Sequence, residues 1–363
     1  MAIDPRLIEL FLELARIDGV SGNERAMADH LRRFLEGLGM EVREDDAHGA
    51  TGGNTGNLVA RAGSGGDFAL MAHMDTARPS GGSTAILHAD RITSDGTTVL
   101  GVDDRAGIAM LLHAAEQALV RGRGRRDFTL GFTVQEETTL LGSQNIRFDP
   151  AVRMAILFDS AERPGCFICR SYGCQRISVA VRGRASHSGI APEKGISAIA
   201  VAAKGIAALR LGRIDPETTA NVGMMRGGSA INVVPEEATL EAEVRSVHPS
   251  RVEEEVARFR KVFEDEAARA GASVTVDAFW DFMPYEVDAS SELYRRVAAA
   301  LRAQGLEPQA KVSAGGSDAN SLNARGLPAV NLGVGARNPH GNDEFILIED
   351  LEKGAAIALS LLS

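Results

Sequence analysis

Four short runs of almost unbroken apolar residues constrain this chain more than any other feature: residues 68–72, 128–134, 154–158 and 329–332. A strand that is apolar along its whole length is buried on both faces, and such strands belong to parallel sheets covered by helices on each side. Residues 5–18 and 24–35 repeat apolar side chains at three and four, the spacing of amphipathic helices. Residues 105–120 read as a further helix, and a strand is expected near 40–44 before a glycine-rich loop over 49–56. Strands separated by helices predict an α/β fold with a mostly parallel mixed sheet flanked by helices.

From about Cys174 the pattern changes. Residues 177–181, 219–225 and 238–244 alternate as half-buried strands do. Residues 196–209 and 251–270 read as helices, and 274–278 as a last strand. That order, β-α-β-β-α-β, is the split arrangement of ferredoxin-like domains. Helix–strand alternation then returns, with helices over 291–304 and 347–362. The predicted organisation is a larger domain formed by residues 1–173 and 282–363, interrupted by an inserted ferredoxin-like domain over 174–281. A length of 363 residues accommodates two domains.

The balance of 39 basic against 49 acidic residues, a net charge of −10, argues against nucleic acid and anionic membrane surfaces as partners. The densest basic stretch, RGRGRR over 121–126, reads as a solvated loop. No run approaches the roughly 18 apolar residues of a membrane span, and the N-terminal segment carries acids through its apolar run, unlike a signal peptide. Three cysteines, Cys166, Cys169 and Cys174, are an odd, low count that suggests reduced thiols and a cytoplasmic location. The Cys166–Cys169 spacing lacks the strand-to-helix context of a redox motif and reads as two partly buried thiols.

Common catalytic signatures are missing. Gly-Gly-Ser at Gly81, Gly227 and Gly315 lacks the last glycine of a nucleophile elbow. There is no phosphate-binding Gly-x-x-x-x-Gly-Lys loop and no His-Glu-x-x-His. Acids and histidines collect instead at the ends of the expected strands. His73 and Asp75, two apart, point the same way, and a metal-binding histidine usually gives its second ring N–H to a carboxylate. Asp103 and Asp104 precede a helix. Glu136 and Glu137 close an apolar strand, where two adjacent carboxylates need a cation or an unusual proton nearby. Asp159 ends the next strand, and His340 follows the last. Ligands in open α/β sheets collect beyond the carboxyl ends of the strands.

Taken in order, HMDT, GVDDRAG, QEETTLLGS, LFDS, RASHSG, AGGSDAN and NPHGNDEF resemble the motifs of the dinuclear-zinc aminoacylase and carboxypeptidase family of metallopeptidases, and most nearly its peptidase T-like (tripeptide aminopeptidase) branch. The resemblance runs from His73 to the final helix. It implies a zinc-peptidase catalytic domain with an inserted lid that also forms a homodimer, and hydrolysis of an amide bond in small peptides. It further implies that Asp103 bridges two zinc ions, that His73 and Asp159 complete one site, and that Glu137 and His340 complete the other. Glu136 corresponds to the general base, Asp75 to the partner of His73, and His187 to a lid histidine that reaches the neighbouring subunit's site. Asn221, Arg245 and the loop Gly315, Gly316 and Ser317 correspond to substrate contacts. Arg105 stands where the family more usually has lysine. Imidazole and carboxylate ligands suit zinc, with cobalt or manganese as possible substitutes. Two alternatives remain open: a carboxypeptidase or aminoacylase, in which Arg245 binds a free carboxylate of a peptide or N-acyl amino acid, and an inactive binding protein on the same fold.

Overall fold

The computed structural model describes residues 4–82, 84–124 and 127–363. The first three residues, Ser83 of the Gly81 motif, and Arg125 and Arg126 of the basic run lie outside the described residues. The chain divides into two units. One takes in the chain to Arg170, Glu286–Ser313 and Ser317–Ser363; the other holds Ser171–Tyr285 and Ala314–Gly316.

The larger unit is built on a nine-stranded sheet whose order begins Glu41–Glu44, Leu58–Ala62, Phe128–Thr133, Ala69–His73, Ala155–Ser160, Ala329–Gly333, Cys166–Ser171. The four apolar runs are its four adjacent parallel strands; Glu41–Glu44, Leu58–Ala62 and Cys166–Ser171 pair antiparallel beside them. Every residue of Ala69–His73, Phe128–Thr133 and Ala329–Gly333 is buried. The sheet is therefore mixed, parallel through its centre and flanked by helices. The helix Val102–Leu119 is buried on nearly all sides, as a helix apolar all round must be. It packs against Ala69–His73 and Ala155–Ser160, with Pro5–Ala15 and Ile348–Leu361 laid against it. A Cβ on Gly107 would sit 1.9 Å from the Phe158 carbonyl oxygen. Glycine alone permits that approach, which brings the start of this helix beside the end of the Ala155–Ser160 strand.

Several features of the larger unit differ from the sequence expectation. The strand Cys166–Ser171 lies in a stretch whose cysteines and arginine hide any alternation. Part of the 49–56 loop winds into a short helix, His48–Thr51. A small sheet joins Ile86–Leu87, Arg91–Thr93 and Phe345–Leu347.

The smaller unit carries a five-stranded antiparallel sheet in the order Gly212–Asp215, Thr218–Gly227, Glu237–Ser246, Gly173–Arg182, Ser273–Phe282. Its core sets Ile177, Val179, Val181 and Val244 against Val201, Phe259 and Phe263 of the helices Ala198–Ala208 and Pro249–Ala270. Four of the strands follow the expected β-α-β-β-α-β plan. The fifth, Gly212–Asp215, is a short charged edge strand that period-two patterning does not reveal. The opposite sheet face bears Arg176, Asn221, Glu243 and Arg245 around a cavity of about 570 Å³.

No helix among the described residues is long and apolar enough to cross a membrane. All three cysteines are free thiols, and burial pushes each up from its ordinary value, Cys174 to about 12.

Candidate metal centre

The four parallel strands deliver their carboxyl ends to one edge of the sheet, and the predicted ligand-type residues gather there. His73 closes Ala69–His73, and Asp159 is the last residue but one of Ala155–Ser160. Glu136 and Glu137 open a helical turn just past Phe128–Thr133. Asp103 stands in the first turn of Val102–Leu119, where its backbone is not helical. His340 lies in the loop after Ala329–Gly333, at φ +66°.

Asp103 lies between the two histidines. Its Oδ1 is 3.0 Å from His73 Nε2, and its Oδ2 is 3.5 Å from His340 Nε2. His73 Nε2 also faces Asp159 Oδ1 at 3.5 Å, while His340 Nε2 faces Glu137 Oε2 at 3.0 Å. The five residues thus form two groups that share one carboxylate. Donor atoms of His73, Asp103 and Glu137 fall within 4.8 Å of one another, as do those of His73, Asp104 and Asp159. Asp104 is nonetheless committed elsewhere: Oδ2 accepts the His73 N–H at 3.2 Å and Oδ1 the Gly107 N–H at 3.0 Å.

Asp75 organises the pocket from behind. Its Oδ1 lies 3.3 Å from His73 Nδ1, although that ring nitrogen has no well-aligned hydrogen bond. Asp75 Oδ1 accepts the Glu136 N–H at 3.0 Å, and Oδ2 accepts the Glu137 N–H at 3.2 Å and the Ser21 hydroxyl at 2.6 Å. One buried carboxylate therefore faces the His73 ring and fixes the backbone of both glutamates.

The electrostatics are those of a pocket with too many acids for its volume. Burial pushes Asp104 and Glu136 well above the ordinary carboxyl range, and for Glu136 the charge of Asp159 adds to it. Burial also raises Glu137, and takes Asp318 and Glu344 to about 7. At Asp103 burial acts upward too, but hydrogen bonds from His340 and His73 hold its carboxyl low. The same contacts, to Asp103 and then Glu137, raise His340 to about 10. Burial opposes protonation of His73, yet Asp103, Asp159 and Asp75 together hold it well above its ordinary value. Glu137 Oε1 is buried without a partner. Carboxylates crowded this way are relieved by a cation, and the imidazole and carboxylate donors match a divalent metal.

The remaining predicted residues lie in the smaller unit, apart from Ser317. His187 is exposed, bridges antiparallel to Val233, and accepts the Gly189 N–H on Nδ1 at 3.2 Å. Asn221 is exposed on Thr218–Gly227, across from Glu243. Arg245 donates twice to Glu243, at 3.0 and 2.9 Å, and once to the Ala314 carbonyl at 3.1 Å. Gly315 accepts the Ser171 hydroxyl at 3.0 Å. Gly316 lies so close to Phe282 that a Cβ would meet its ring at 2.7 Å. Ser317 precedes the helix Asp318–Ala324, and its N–H is accepted by Asn320 Oδ1 at 3.0 Å.

Several supporting residues escaped the sequence reading. Thr133 donates its hydroxyl to Asp318. Asn331 donates to Asp159 Oδ2 at 2.8 Å and accepts the Asp159 N–H at 3.1 Å; an amide in the run AVNLG was the available signal. Arg105, already noted in place of the family's usual lysine, is fully buried and donates to the Met74 carbonyl at 2.7 Å, and burial takes it down to about 10.

Comparison with known proteins adds to this geometry. Residues 171–271 match the model of the M20 peptidase dimerisation domain, and residues 82–165 that of the M42 glutamyl aminopeptidases. The protein YqjE of Bacillus subtilis (strain 168) is 34% identical over 371 residues, covering 100% of this chain and 99% of its own. A tripeptidase structure from Staphylococcus aureus superposes with a TM-score of 0.94 at 32% identity, over 100% of this chain and 98% of that one. The aminopeptidase PepT structure from Bacillus cereus gives 0.89 at 34% identity, over 99% and 98%.

Proposed function

Since this chain belongs to the M20 metallopeptidases, on their peptidase T-like branch, we propose that it is an aminopeptidase that removes N-terminal residues from short peptides at a two-zinc centre. The observation that carries the reading is Asp103, whose two carboxylate oxygens face two different histidines. In this reading Asp103 would be shared by the two ions, His73 and Asp159 would hold one of them, and Glu137 and His340 would hold the other. Cobalt or manganese suits the same donors. The unpartnered Glu137 oxygen and the raised carboxyl groups support a cation in the pocket.

Bound zinc supplies a Lewis acid for the scissile carbonyl and lowers the pKa of a water to around 7. Glu136, held by its own N–H on Asp75, takes a proton from the attacking water and passes it to the leaving amine nitrogen. Asp75 keeps the His73 ring in orientation. His187 donates to the developing oxyanion, acting in a homodimer on the neighbouring subunit's site, a reading that the dimerisation-domain match supports. Asn221, Arg245 and Gly315–Ser317 bind the peptide's polar end. Three free thiols support a cytoplasmic setting.

Recognition of the free amine, rather than a free carboxylate, is favoured by Glu243. It already occupies the fork of Arg245, so an incoming carboxylate has to compete with it. The deciding experiment is mass-spectrometric hydrolysis of di- and tripeptides, their N-blocked and C-amidated forms, and N-acetyl amino acids, with and without a chelator. Cleavage that needs the free amine, stops on chelation and returns with zinc is the expected result. Cleavage that needs a free carboxylate overturns the aminopeptidase assignment.

A further inference from the structure

The turn that carries Asp103 and the loop that carries His340 meet on a buried acid to which the mechanism above gives no part. Glu344 is 1% exposed. Its Oε2 accepts the Gly101 N–H at 2.7 Å and its Oε1 the Asp103 N–H at 3.2 Å. Its own backbone belongs to the His340 loop: the Glu344 N–H closes a turn onto the Gly341 carbonyl at 3.2 Å. The Ser94 N–H reaches the Glu344 carbonyl at the same distance. Gly101, at φ +74°, holds a conformation that presents its N–H to this acid.

A buried carboxylate is costly unless it is hydrogen-bonded, and the charge of Asp103 beside it adds to the cost. Charge-assisted bonds to backbone N–H groups are among the stronger ones available. Both are directed at the turn immediately before the Asp103 side chain. Without these bonds the His340 loop is free to part from that turn, whereas His73, in its buried strand and backed by Asp75, keeps facing Asp103. Asp159 has a separate arrangement, the reciprocal pair with Asn331.

We propose that Glu344 is a positioning residue that locks the Gly101–Asp103 turn to the His340 loop, so that Asp103 and His340 address the same ion together. The proposal rests on the reading of this site as a metal centre. Glu344 acts through these backbone groups and touches no substrate.

The test is zinc titration of the metal-free full-length protein against a competing chelator, for wild type and Glu344→Gln, with thermal melting of both metal-free forms. The amide keeps the shape and one acceptor but turns an NH2 towards the other N–H. Partners behind metal ligands typically contribute roughly 10–100-fold in metal affinity. The expected result is a loss of that size at one of two ions, with a metal-free Tm that moves little. In the cobalt-substituted protein the visible absorption of one ion should change while the other's stays. Two ions bound within twofold of wild type overturn the proposal. If Glu344→Gln melts before titration, Glu344→Asp keeps the charge with one methylene less reach; wild-type affinity in that folded variant also overturns it. A wild type that binds a single ion refutes the two-ion reading alone. The proposal then stands if Glu344→Gln weakens that ion and falls if it does not.

Discussion

His73 and His340 face the same carboxylate from unlike positions. His73 ends a strand in which every residue is buried, is 1% exposed, has its N–H bound by Asp104 and its ring backed by Asp75. The His340 side chain is 50% exposed in a loop, at positive φ, and the contacts of its ring are the carboxylates of Asp103 and Glu137. One half of the centre is set by packing and is ready before any cation arrives. The other half is held by charge and follows its loop. Histidines that look equivalent as ligands therefore differ in what fixes them, and they should differ in what happens when they are removed.

Replacing each histidine tests this most severely. His73→Ala should abolish turnover and weaken both ions, since its ring adjoins Asp103 and Asp159 alike. His340→Ala should weaken one ion and leave the other measurable by chelator competition. Equal losses in the two variants would break the contrast. Glu136→Gln should lower kcat by roughly 10²–10⁴-fold while zinc content stays at the wild-type level. A variant of unchanged rate removes Glu136 from the role of base. Asp75→Asn should cost roughly 10–100-fold in zinc affinity, concentrated at the ion bound by His73; a loss confined to the His340 ion would reverse the assignment.

The smallest effect concerns pH in the chelated protein. Contacts with Asp103 and Glu137 raise His340 to about 10, above its ordinary 6.5. A folded-state pKa above the unfolded one stabilises fully below the unfolded value, and the contribution is lost as pH rises through the folded value. The Tm difference between chelated wild type and chelated His340→Ala should therefore be widest near pH 6 and narrow towards pH 10. At 50% exposure the effect is reduced by solvent screening. A difference that stays constant across this range would mean that charge does not hold the loop.

Much of the centre was legible because burial and chemistry leave opposite marks on one short segment. An apolar run ending in His73, or followed by Glu136 and Glu137, announces both a strand and something that does not belong inside it. The supports are not legible in this way. Asn331, Ser21 and Glu344 are single polar residues whose meaning depends on a partner 172, 54 or 241 positions away. No local period encodes that pairing. Edge elements fail for a different reason. Cys166–Ser171 and Gly212–Asp215 are short and mixed in character, so neighbouring strands rather than their own pattern decide that they pair. Asp104 shows the limit most plainly: its residue type makes it as good a ligand as Asp103, only the family resemblance passes it over, and the physical reason lies in the backbone groups that occupy its two oxygens.

The parallel order of the strands has a consequence for biosynthesis. Residues that meet at Asp103 come from positions 73 to 340, and the strand Ala329–Gly333 that leads to the His340 loop pairs with Ala155–Ser160. Contacts this remote in sequence are slow to form. A ribosome-bound chain offers a metal only His73 and the acids of its early strands until the stretch around His340 has emerged. Capture of a full complement of metal thus reports that translation has passed that stretch, and a fragment released earlier lacks the ring that closes the second half.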